Sequence, residues 1–496
     1  MLLRRDETTR EQPHFSRAYR LRLRLYTLKG HYTDGIGFMR QLSKAIIIGG
    51  FTAFISFSAF GQSFSEGLEA HKQGDYATAF ENFEPLAEQG DGDAQYNLGF
   101  MYSNGQGVPQ NYSEAVSWYR KAAEQGFAKA QYNLGVMYSN GQGAPQNDSE
   151  AIYWFRKAAE QGHVVAQYNL GITYDDARGV PQNDSEAVSW YHKAAEQGLA
   201  DAQYNLGFMY SYGRGVPQND SEAVSWYHKA AEQGHVVAQY NLGFMHYYGQ
   251  GVPQNDSEAV SWYRKAAEQG HAKAQLNLGL MYEKGRGLPQ NYSEAAAWYL
   301  KAADQGDGLA QHNLGTMYSS GRGLPQNYSE AISWYLQAAE QGIATAQYNL
   351  GFMYSYGQGV PQNDSEAFSW YRKAAEQGDT YAQFNLGLIY ESGQGVSQDY
   401  SEAVSWYRRA ASEGVAKAQF NMGVMYWDGT GVTQNHVMSY MLNILAAAQG
   451  HESAQNNRDI MLKILTRDQI AEAQEMATEW RVGTPLPYND DFTTWP

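Results

Sequence analysis

One short motif constrains the fold of this chain more than any other feature of its sequence. The motif, Gln-x-Asn-Leu/Met-Gly, begins at Gln95 and occurs ten times at a constant spacing of 36 residues, with its last copy at Gln419. A fixed period in this range indicates a solenoid, in which similar units stack side by side instead of enclosing one globular core. Ten such units tile residues 93–452.

Each unit predicts a pair of helices. In the first unit, apolar residues recur at helical spacing in two segments, one before Gly105 and one between Asn111 and Gly126. Gly105 and Gly126 stand where a left-handed C-cap favours glycine, and Gly107 gives the loop a second position that tolerates positive φ. The predicted fold class is therefore all-α, with 36-residue helix-turn-helix repeats.

Two positions inside the helices stay fixed and are read as structural. Gly99 lies mid-helix, where glycine costs about 1 kcal/mol relative to alanine, yet glycine returns in all ten units. This suggests that another backbone packs closely against Gly99, with Ala122 and Ala123 small enough to allow the approach. Trp118 belongs to the same fixed set, which is typical of a core.

The loop before the second helix, 105–115, has three interpretations. Its Gly-x-Gly is a weak phosphate signal, because it lacks a preceding strand, a third spaced glycine and a Lys-Ser/Thr pair. Asn111 and its seven Asn-x-Ser equivalents are formal glycan acceptors. Asn111 is also followed three residues later by Glu114, which is the spacing of an N-cap. The ninth unit has Asp399 at this position, and because aspartate caps a helix but carries no glycan, capping is favoured.

The segments outside the ten units are assigned by spacing and composition. Residues 65–92 predict an abbreviated N-terminal repeat, and residues 453–481 predict C-terminal capping helices, in which Thr466 and Gln469 have capping-box spacing. Residues 482–496 hold three prolines and show no periodicity. We therefore expect a disordered tail.

The N-terminal 61 residues are excluded from the fold. Residues 39–61 have the layout of a signal peptide, with a short basic start, an apolar run and small residues before the expected cleavage site. Residues 1–38 form no recognisable element and are interpreted as a non-native extension, with Met39 as the alternative start. We expect an exported protein, periplasmic or secreted, that is attached to a membrane only if the signal segment stays uncleaved.

Charge and composition exclude several functional classes. Residues 1–61 hold 10 Lys and Arg against 4 Asp and Glu, which leaves 26 basic and 48 acidic residues, a formal charge of −22, in 62–496. Because so acidic a surface repels a phosphate backbone, no nucleic-acid partner is expected. The absence of cysteine removes disulfides, thiolate metal sites and cysteine nucleophiles.

The histidines predict no metal site. His163 and its equivalents lie in the turn between units, where Phe, Leu, Asp and Val also occur, and this interchange indicates solvated surface. His192 and His228 occupy equivalent positions of adjacent units, too far apart to share one zinc ion. No Ser, His and acid are brought together by the pattern. We therefore predict no catalytic residue, no metal and no cofactor.

The residues of the repeat identify a family. The first unit matches A-x-x-x-L-G-x-x-Y followed by G-x-G-V-x-x-[ND]-x-x-x-A-x-x-W-[YF]-x-K-A-A-E-x-G, and nine further copies follow. Over residues 66–480 the chain resembles the Sel-one-like repeat family, a branch of the tetratricopeptide-repeat superfamily. The resemblance implies a right-handed α-solenoid, or superhelix, and a role in binding other proteins.

Positions that differ among the units mark the candidate binding face. On the first helix these are the equivalents of 93, 100, 103 and 104, and the equivalents of 96 are mostly aromatic; both sets lie away from the fixed stripe. In tetratricopeptide-like solenoids this face lines the concave groove. Aromatic residues with polar tips suit protein binding, and the alternative is that the Tyr96 series packs between neighbouring units. The predicted groove residues are Tyr96, Phe100, Tyr132, Tyr168, Tyr204, Phe208, Tyr212, Tyr240, Phe244, Tyr247, Tyr248, Tyr348, Phe352 and Tyr356.

The sequence thus predicts an exported, non-catalytic scaffold that holds a peptide or protein on its concave face. Two alternatives stay open. An envelope-located hydrolase or cell-wall binder has only the compartment in its favour. An RNA-binding helical-repeat protein shares the period but is disfavoured by the acidic surface.

Overall fold

The chain is built from helices in the part that the structure, a computed structural model, describes: residues 63–487, which contain no strand. The chain divides into two compact units, Met1–Leu86 and Ala87–Pro496. The helices are α1 (63–73), α2 (Tyr76–Glu88), α3 (Gly92–Asn104), α4 (Tyr112–Glu124), α5 (Ala128–Asn140), α6 (Asp148–Glu160), α7 (Val164–Asp175), α8 (Asp184–Glu196), α9 (Ala200–Tyr212), α10 (Asp220–Glu232), α11 (Val236–Tyr248), α12 (Asp256–Glu268), α13 (Ala272–Lys284), α14 (Tyr292–Ala303), α15 (Gly308–Ser320), α16 (Tyr328–Glu340), α17 (Ala344–Tyr356), α18 (Asp364–Glu376), α19 (Thr380–Ser392), α20 (Tyr400–Ser412), α21 (Ala416–Asp428), α22 (His436–Ala448), α23 (Glu452–Met461) and α24 (Arg467–Glu479).

Ten helix pairs repeat every 36 residues inside the second compact unit. Repeat 1 consists of α3 and α4, and repeat 10 consists of α21 and α22. We call the first helix of each repeat its A helix and the second its B helix. Each A helix packs against the B helix of its own repeat, and each B helix also packs against the next A helix. This arrangement is an all-α solenoid, which confirms the predicted fold class.

The N-termini of the B helices are capped by the side chain that the sequence pattern indicated. Asn111 has extended backbone geometry, and its Oδ1 accepts the N–H groups of Ser113 and Glu114 at 3.1 and 3.2 Å. Asp399 accepts the equivalent N–H groups of Ser401 and Glu402. Such a cap satisfies backbone donors that a helix leaves unpaired and stabilises it by about 1 kcal/mol. The repeated asparagine is therefore an N-cap.

The A helices end in left-handed glycines. Gly105 has a φ of 69°, and its N–H donates to the carbonyl oxygen of Met101. Gly107 and Gly126 also have positive φ, 71° and 96°. In repeat 3 the residue that replaces Gly105 is Ala177, which keeps a φ of 56°, so a side chain occupies a conformation that favours glycine.

The glycine inside each A helix makes room for an aromatic ring. A Cβ atom on Gly99 would lie 2.7 Å from Cδ1 of Tyr119 on the B helix, and Tyr119 is almost fully buried. The expectation that a backbone is the nearest neighbour of Gly99 is therefore corrected, because the Tyr119 ring lies closest. A backbone oxygen comes next in several repeats, for example Ala151 O at 3.1 Å from a Cβ on Gly135. The close neighbour is a side chain, and the helix pair approaches closely because glycine leaves space for the ring.

A glutamine pair connects the end of a B helix to the A helix of its own repeat, and one of the two amides also hydrogen-bonds the preceding repeat. Gln95 is buried, and its Nε2 donates to the carbonyl oxygen of Ala87 at 3.0 Å. The Oε1 of Gln95 accepts from Nε2 of Gln125 at 2.8 Å. The same amide pair recurs at 2.7–2.9 Å along the stack. A buried amide bonded on both sides ties the turn at the end of a B helix to the adjacent A helix.

The second glycine of the loop is fixed by contact with the preceding repeat. A Cβ atom on Gly143 would lie 2.1 Å from the carbonyl oxygen of Tyr112 at the start of the preceding B helix. Ser113 Oγ donates to the carbonyl oxygen of Gly143 at 3.4 Å. The Gly-x-Gly loop therefore packs backbone against backbone, which explains its uniformity without a ligand.

The first compact unit contains helix α1 and most of α2, joined through Gly74 with a φ of 82°. Phe64 and Phe83 bring the two helices together with ring centroids 5.5 Å apart. Ser63 Oγ donates to Asn82 Oδ1 at 3.2 Å. These contacts form a short helix hairpin without the long loop of the later repeats.

The C-terminal end is ordered further than the sequence suggested. Thr466 and Gln469 form the expected capping box. The prediction of a disordered tail at 482–496 is wrong for residues 482–487, because Gly483 N–H donates to the carbonyl oxygen of Ser412 at 2.8 Å and Leu486 is buried in the last core. Residues 488–496 lie outside the described residues, as do the predicted extension at 1–38 and signal peptide at 39–61.

Candidate partner-binding surface

The tyrosines of the Tyr96 series pack inside the solenoid more than they face outward. Tyr96 is partly buried, and its ring centroid lies 5.9 Å from that of Tyr119. Tyr204 lies 5.8 Å from Tyr227 on its own B helix and stacks on His235 in the turn to repeat 5 at 4.6 Å. The remaining members of this series, each partly buried against its own B helix, are Tyr132, Tyr168, Tyr240 and Tyr348.

The exposed part of the face lies one and two turns further along the A helices. Phe208 and Tyr212 form an aromatic pair with ring centroids 4.5 Å apart, and Tyr212 is 42% exposed. The equivalent pairs, also 4.5 Å apart, are Phe244 with Tyr248 and Phe352 with Tyr356, where the tyrosines are 54% and 67% exposed. Phe100 in repeat 1 is partly buried and is followed by Asn104 instead of tyrosine. Among the predicted groove residues, the exposed aromatic pairs therefore lie in repeats 4, 5 and 8.

The asparagine that follows each Tyr96 equivalent makes hydrogen bonds inside the solenoid. Asn133 hydrogen-bonds the buried Tyr119 of the preceding repeat, and Asn169 does the same for Tyr132. Burial raises the pKa of Tyr132, so its hydroxyl stays neutral and needs such a partner. These amides are engaged within the protein along its length.

The turn histidines cap helices, which the sequence analysis missed. Nδ1 of His163 accepts the N–H of Ala166 at 3.2 Å, and its ring stacks on Tyr132 at 4.7 Å. His271 caps its helix in the same way, and burial lowers the pKa of both histidines to about 4. The interpretation as solvated surface is therefore wrong. The signal was the interchange of histidine with aspartate at this position, because Asp307 is an N-cap as well.

Tryptophans and histidines of the B helices contact charged or aromatic side chains within the chain. The ammonium group of Lys121 lies 3.7 Å from the ring centroid of Trp118, a cation–π contact. His192 contacts Glu196 at 3.5 Å and the ring of Trp226. Within residues 63–487 there is no group of three His, Cys, Asp or Glu side chains arranged to hold a metal ion.

The charges near the aromatic face are mostly paired within the chain. Arg286 lies with its guanidinium 4.2 Å from the ring centroid of Tyr247, donates to the Tyr247 hydroxyl at 2.6 Å and forms two hydrogen bonds with Asp256. Arg214, in the loop of repeat 4, forms ion pairs with Asp175 and Asp184 of repeat 3. The A helices of repeats 5 and 8 contain no Asp, Glu, Lys or Arg. These two A helices are therefore aromatic and carry no formal charge.

The repeated helix pairs and their glutamine junctions define an α-solenoid repeat protein. The chain belongs to the Sel1 repeat family, because the Sel1 repeat matches eleven consecutive segments from 61–91 through 92–127 to 416–451 without a gap. The first matched segment covers most of the abbreviated repeat predicted at 65–92. Repeat proteins of this kind mediate protein–protein interactions.

Solved structures support the same assignment. The chain is similar to a protective antigen with an SLR fold present in uropathogenic Escherichia coli strains, at 38% identity and a TM-score of 0.81, covering 86% of this chain and 94% of that one. It is also similar to a Sel1 repeat protein from Oxalobacter formigenes, at 36% identity and a TM-score of 0.50, covering 61% of this chain and 88% of that one.

A curated relative matches over a short stretch. The DAP3-binding cell death enhancer 1 of Rattus norvegicus is 44% identical over 50 residues, which is 10% of this chain and 10% of that protein. The chain thus spans about one tenth of the length of the curated relatives it matches. Each helix that the structure describes is too short or too polar to cross a membrane.

Proposed function

We propose that this chain is an exported, non-catalytic scaffold that binds a protein or peptide partner on the concave face formed by its A helices. The observation that carries the proposal is the exposure of Tyr212, Tyr248 and Tyr356 at an A-helix position that differs among the repeats. A uniform feature offers little selectivity, whereas side chains that differ between repeats distinguish one partner from another.

The chemistry of these residues suits protein binding. Tyrosine combines a large apolar ring with a polar tip and loses little conformational entropy on binding, which makes it frequent in protein interfaces. Each exposed tyrosine rests on a phenylalanine four residues before it, so its ring is already oriented. Preorganised side chains reduce the entropic cost of association.

Export is supported by the signal-like pattern at 39–61. The acidic charge of 62–496 disfavours a nucleic-acid partner. The relative from uropathogenic Escherichia coli is described as a protective antigen. A location outside the cytoplasm agrees with that description.

Crosslinking capture from an envelope extract tests the proposal. The wild-type chain is compared with the double variant Tyr212→Ser, Tyr248→Ser, and Tyr153→Ser serves as a matched control, since Tyr153 is 51% exposed but lies on a B helix. We expect the double variant to lose crosslinked proteins that the control retains. An unchanged set of proteins, hydrolysis of cell-wall material or salt-dependent RNA binding by the purified chain would overturn the proposal.

A further inference from the structure

Exposed aromatic and aliphatic side chains cluster on two adjacent A helices, α17 and α19. Tyr356, Tyr381, Leu388 and Phe352 are 67%, 51%, 39% and 36% exposed. Tyr348 joins the helices, because its ring centroid lies 6.1 Å from that of Tyr381. We call these five residues the repeat 8–9 surface.

The charges on these two helices and in the turn between repeats 8 and 9 have one sign. None of the described residues of α17 and α19 is Lys or Arg, and the only charged side chain on either helix is Glu391, which accepts a hydrogen bond from Tyr407. Asp379, in the turn between repeats 8 and 9, accepts the N–H of Ala382 at 2.8 Å. Burial raises the pKa of the Tyr348 phenol, and the nearby carboxylate of Asp379 raises it further.

The basic residues of the neighbouring B helix are already engaged. The ammonium group of Lys373 lies 3.9 Å from the ring centroid of Trp370. Arg372 forms an ion pair with Glu376 at 2.9 Å. These contacts engage both cations of the repeat 8 B helix within the chain.

In repeats 5 and 6 an arginine of the chain itself contacts an aromatic side chain of an A helix. There Arg286 lies over the ring of Tyr247, with its charge balanced by Asp256. In repeats 8 and 9 the loop residues equivalent to Arg286 are Gln358 and Gln394. The residue equivalent to Tyr247 is Ser355. The exposed Tyr356 is instead equivalent to Tyr248, whose phenol also lies within reach of the Arg286 charge. At Tyr356 the place of that guanidinium is taken by the neutral amide of Gln394.

We propose that the repeat 8–9 surface binds an arginine-containing basic segment of a partner protein, with a guanidinium over the exposed tyrosine rings and apolar side chains against Phe352 and Leu388. This assignment rests on the proposed scaffold function and specifies the partner chemistry at one place. Cations bind the faces of aromatic rings, most strongly where carboxylates are near. The formal charge of −22 on 62–496 also favours encounter with a basic segment.

Fluorescence anisotropy with the full chain tests this proposal. The probes are a short, labelled, terminally blocked peptide in which Leu and Arg alternate, and the same peptide with citrulline, the neutral isostere, in place of arginine. The variant is Tyr356→Ser, Tyr381→Ser, and the control is Tyr153→Ser, which matches Tyr381 in exposure. We expect the arginine peptide to bind about tenfold more tightly than the citrulline peptide, and the double variant to weaken binding about tenfold.

Three results would overturn the proposal: equal affinity for both peptides, equal loss in the control variant, or no binding of the arginine peptide. Circular dichroism of each variant establishes that the helices are intact. If no arginine peptide binds but the Tyr212→Ser, Tyr248→Ser variant still loses crosslinked proteins, the scaffold function stands and the basic-segment assignment fails.

Discussion

Two neighbouring junctions of the solenoid differ in one side chain. At the end of the repeat 8 B helix, Gln377 Nε2 donates to Oε1 of Gln347 on the A helix of the same repeat at 2.7 Å. In the next junction Glu413 replaces that glutamine, and Gln383 Oε1 is buried with no hydrogen-bond partner among the described residues. Both junctions have the same backbone structure, because the 36-residue period continues through them. The free energy that each junction contributes depends on individual side chains, which can differ from one repeat to the next.

The turns between repeats differ in the same way. His163 and His271 cap the following helix with a ring nitrogen, and Asp307 and Asp379 cap it with a carboxylate. Leu199 occupies the same position and provides no side-chain cap. In a solenoid, the free energy of unfolding is approximately a sum over repeats and their junctions. A side chain that differs from the repeated one at a single junction can therefore be tested by its effect on stability there.

Acidification gives the largest expected effect, at the histidine-capped junctions. Burial lowers the pKa of His163 and His271 to about 4 from the ordinary 6.5. Between these values the unfolded chain binds more protons than the folded chain, so stability falls as the pH falls from about 6.5 to about 4. The loss is up to about 3 kcal/mol for each histidine. Thermal unfolding followed by circular dichroism across this window measures it.

A matched variant separates these histidines from the many carboxylates that also titrate. Asparagine caps a helix but does not ionise in this range, so the double variant His163→Asn, His271→Asn should keep the helices and reduce the dependence of the melting temperature on pH. If the variant and the wild type lose the same stability on acidification, the caps are not the cause.

The sequence predicted what depends on spacing along the chain and missed what depends on neighbours in space. Asn111 and Gly105 were assigned because a cap acts within its own helix. Gly99 was correctly read as a close approach, but spacing alone did not show that Tyr119 fills the gap. The partner of Gln95 lies 30 residues away on a turn, which no local pattern reveals. Exposure of the predicted groove residues likewise depends on B-helix rings, so the Tyr96 series is partly buried.

A substitution at a fixed glycine should be the next most damaging change. In Gly387→Ala the added Cβ would lie 2.4 Å from the ring of Tyr407, whose hydroxyl is held by Glu391. Overpacking costs about 1–3 kcal/mol, and the better helix propensity of alanine returns up to about 1 kcal/mol. We expect a net destabilisation of about 1 kcal/mol in chemical denaturation.

Gly308→Ala is the control, because its added Cβ would lie farther from its neighbours, 3.1 Å from Oε1 at the end of Gln341 and 3.2 Å from Cγ1 of Ile343. Its effect should stay within about 0.5 kcal/mol. Equal losses in the two variants would show that Tyr407 does not limit the approach of the helices.

Exchanging glutamine and glutamate tests the two junctions directly. Glu413→Gln should supply the missing donor to Gln383 Oε1 and stabilise the chain by about 1 kcal/mol, and Gln377→Glu should destabilise it by about 1 kcal/mol by leaving Gln347 Oε1 without its donor. Hydrogen exchange of the flanking helices locates both effects. A stabilising Gln377→Glu would contradict the role of the amide pairs.

The smallest expected effect belongs to the one described non-glycine residue with positive φ, Ala177. The left-handed conformation costs alanine about 1–2 kcal/mol, and Ala177→Gly removes that cost while adding about 0.4–1 kcal/mol of entropy to the unfolded chain. We expect a net gain of about 0.5 kcal/mol and a slightly higher melting temperature. The reverse change in a regular repeat, Gly141→Ala at a φ of 67°, should lower the melting temperature. A fall in the melting temperature of Ala177→Gly would mean that the loop of repeat 3 gains more from the alanine side chain than it loses in backbone strain.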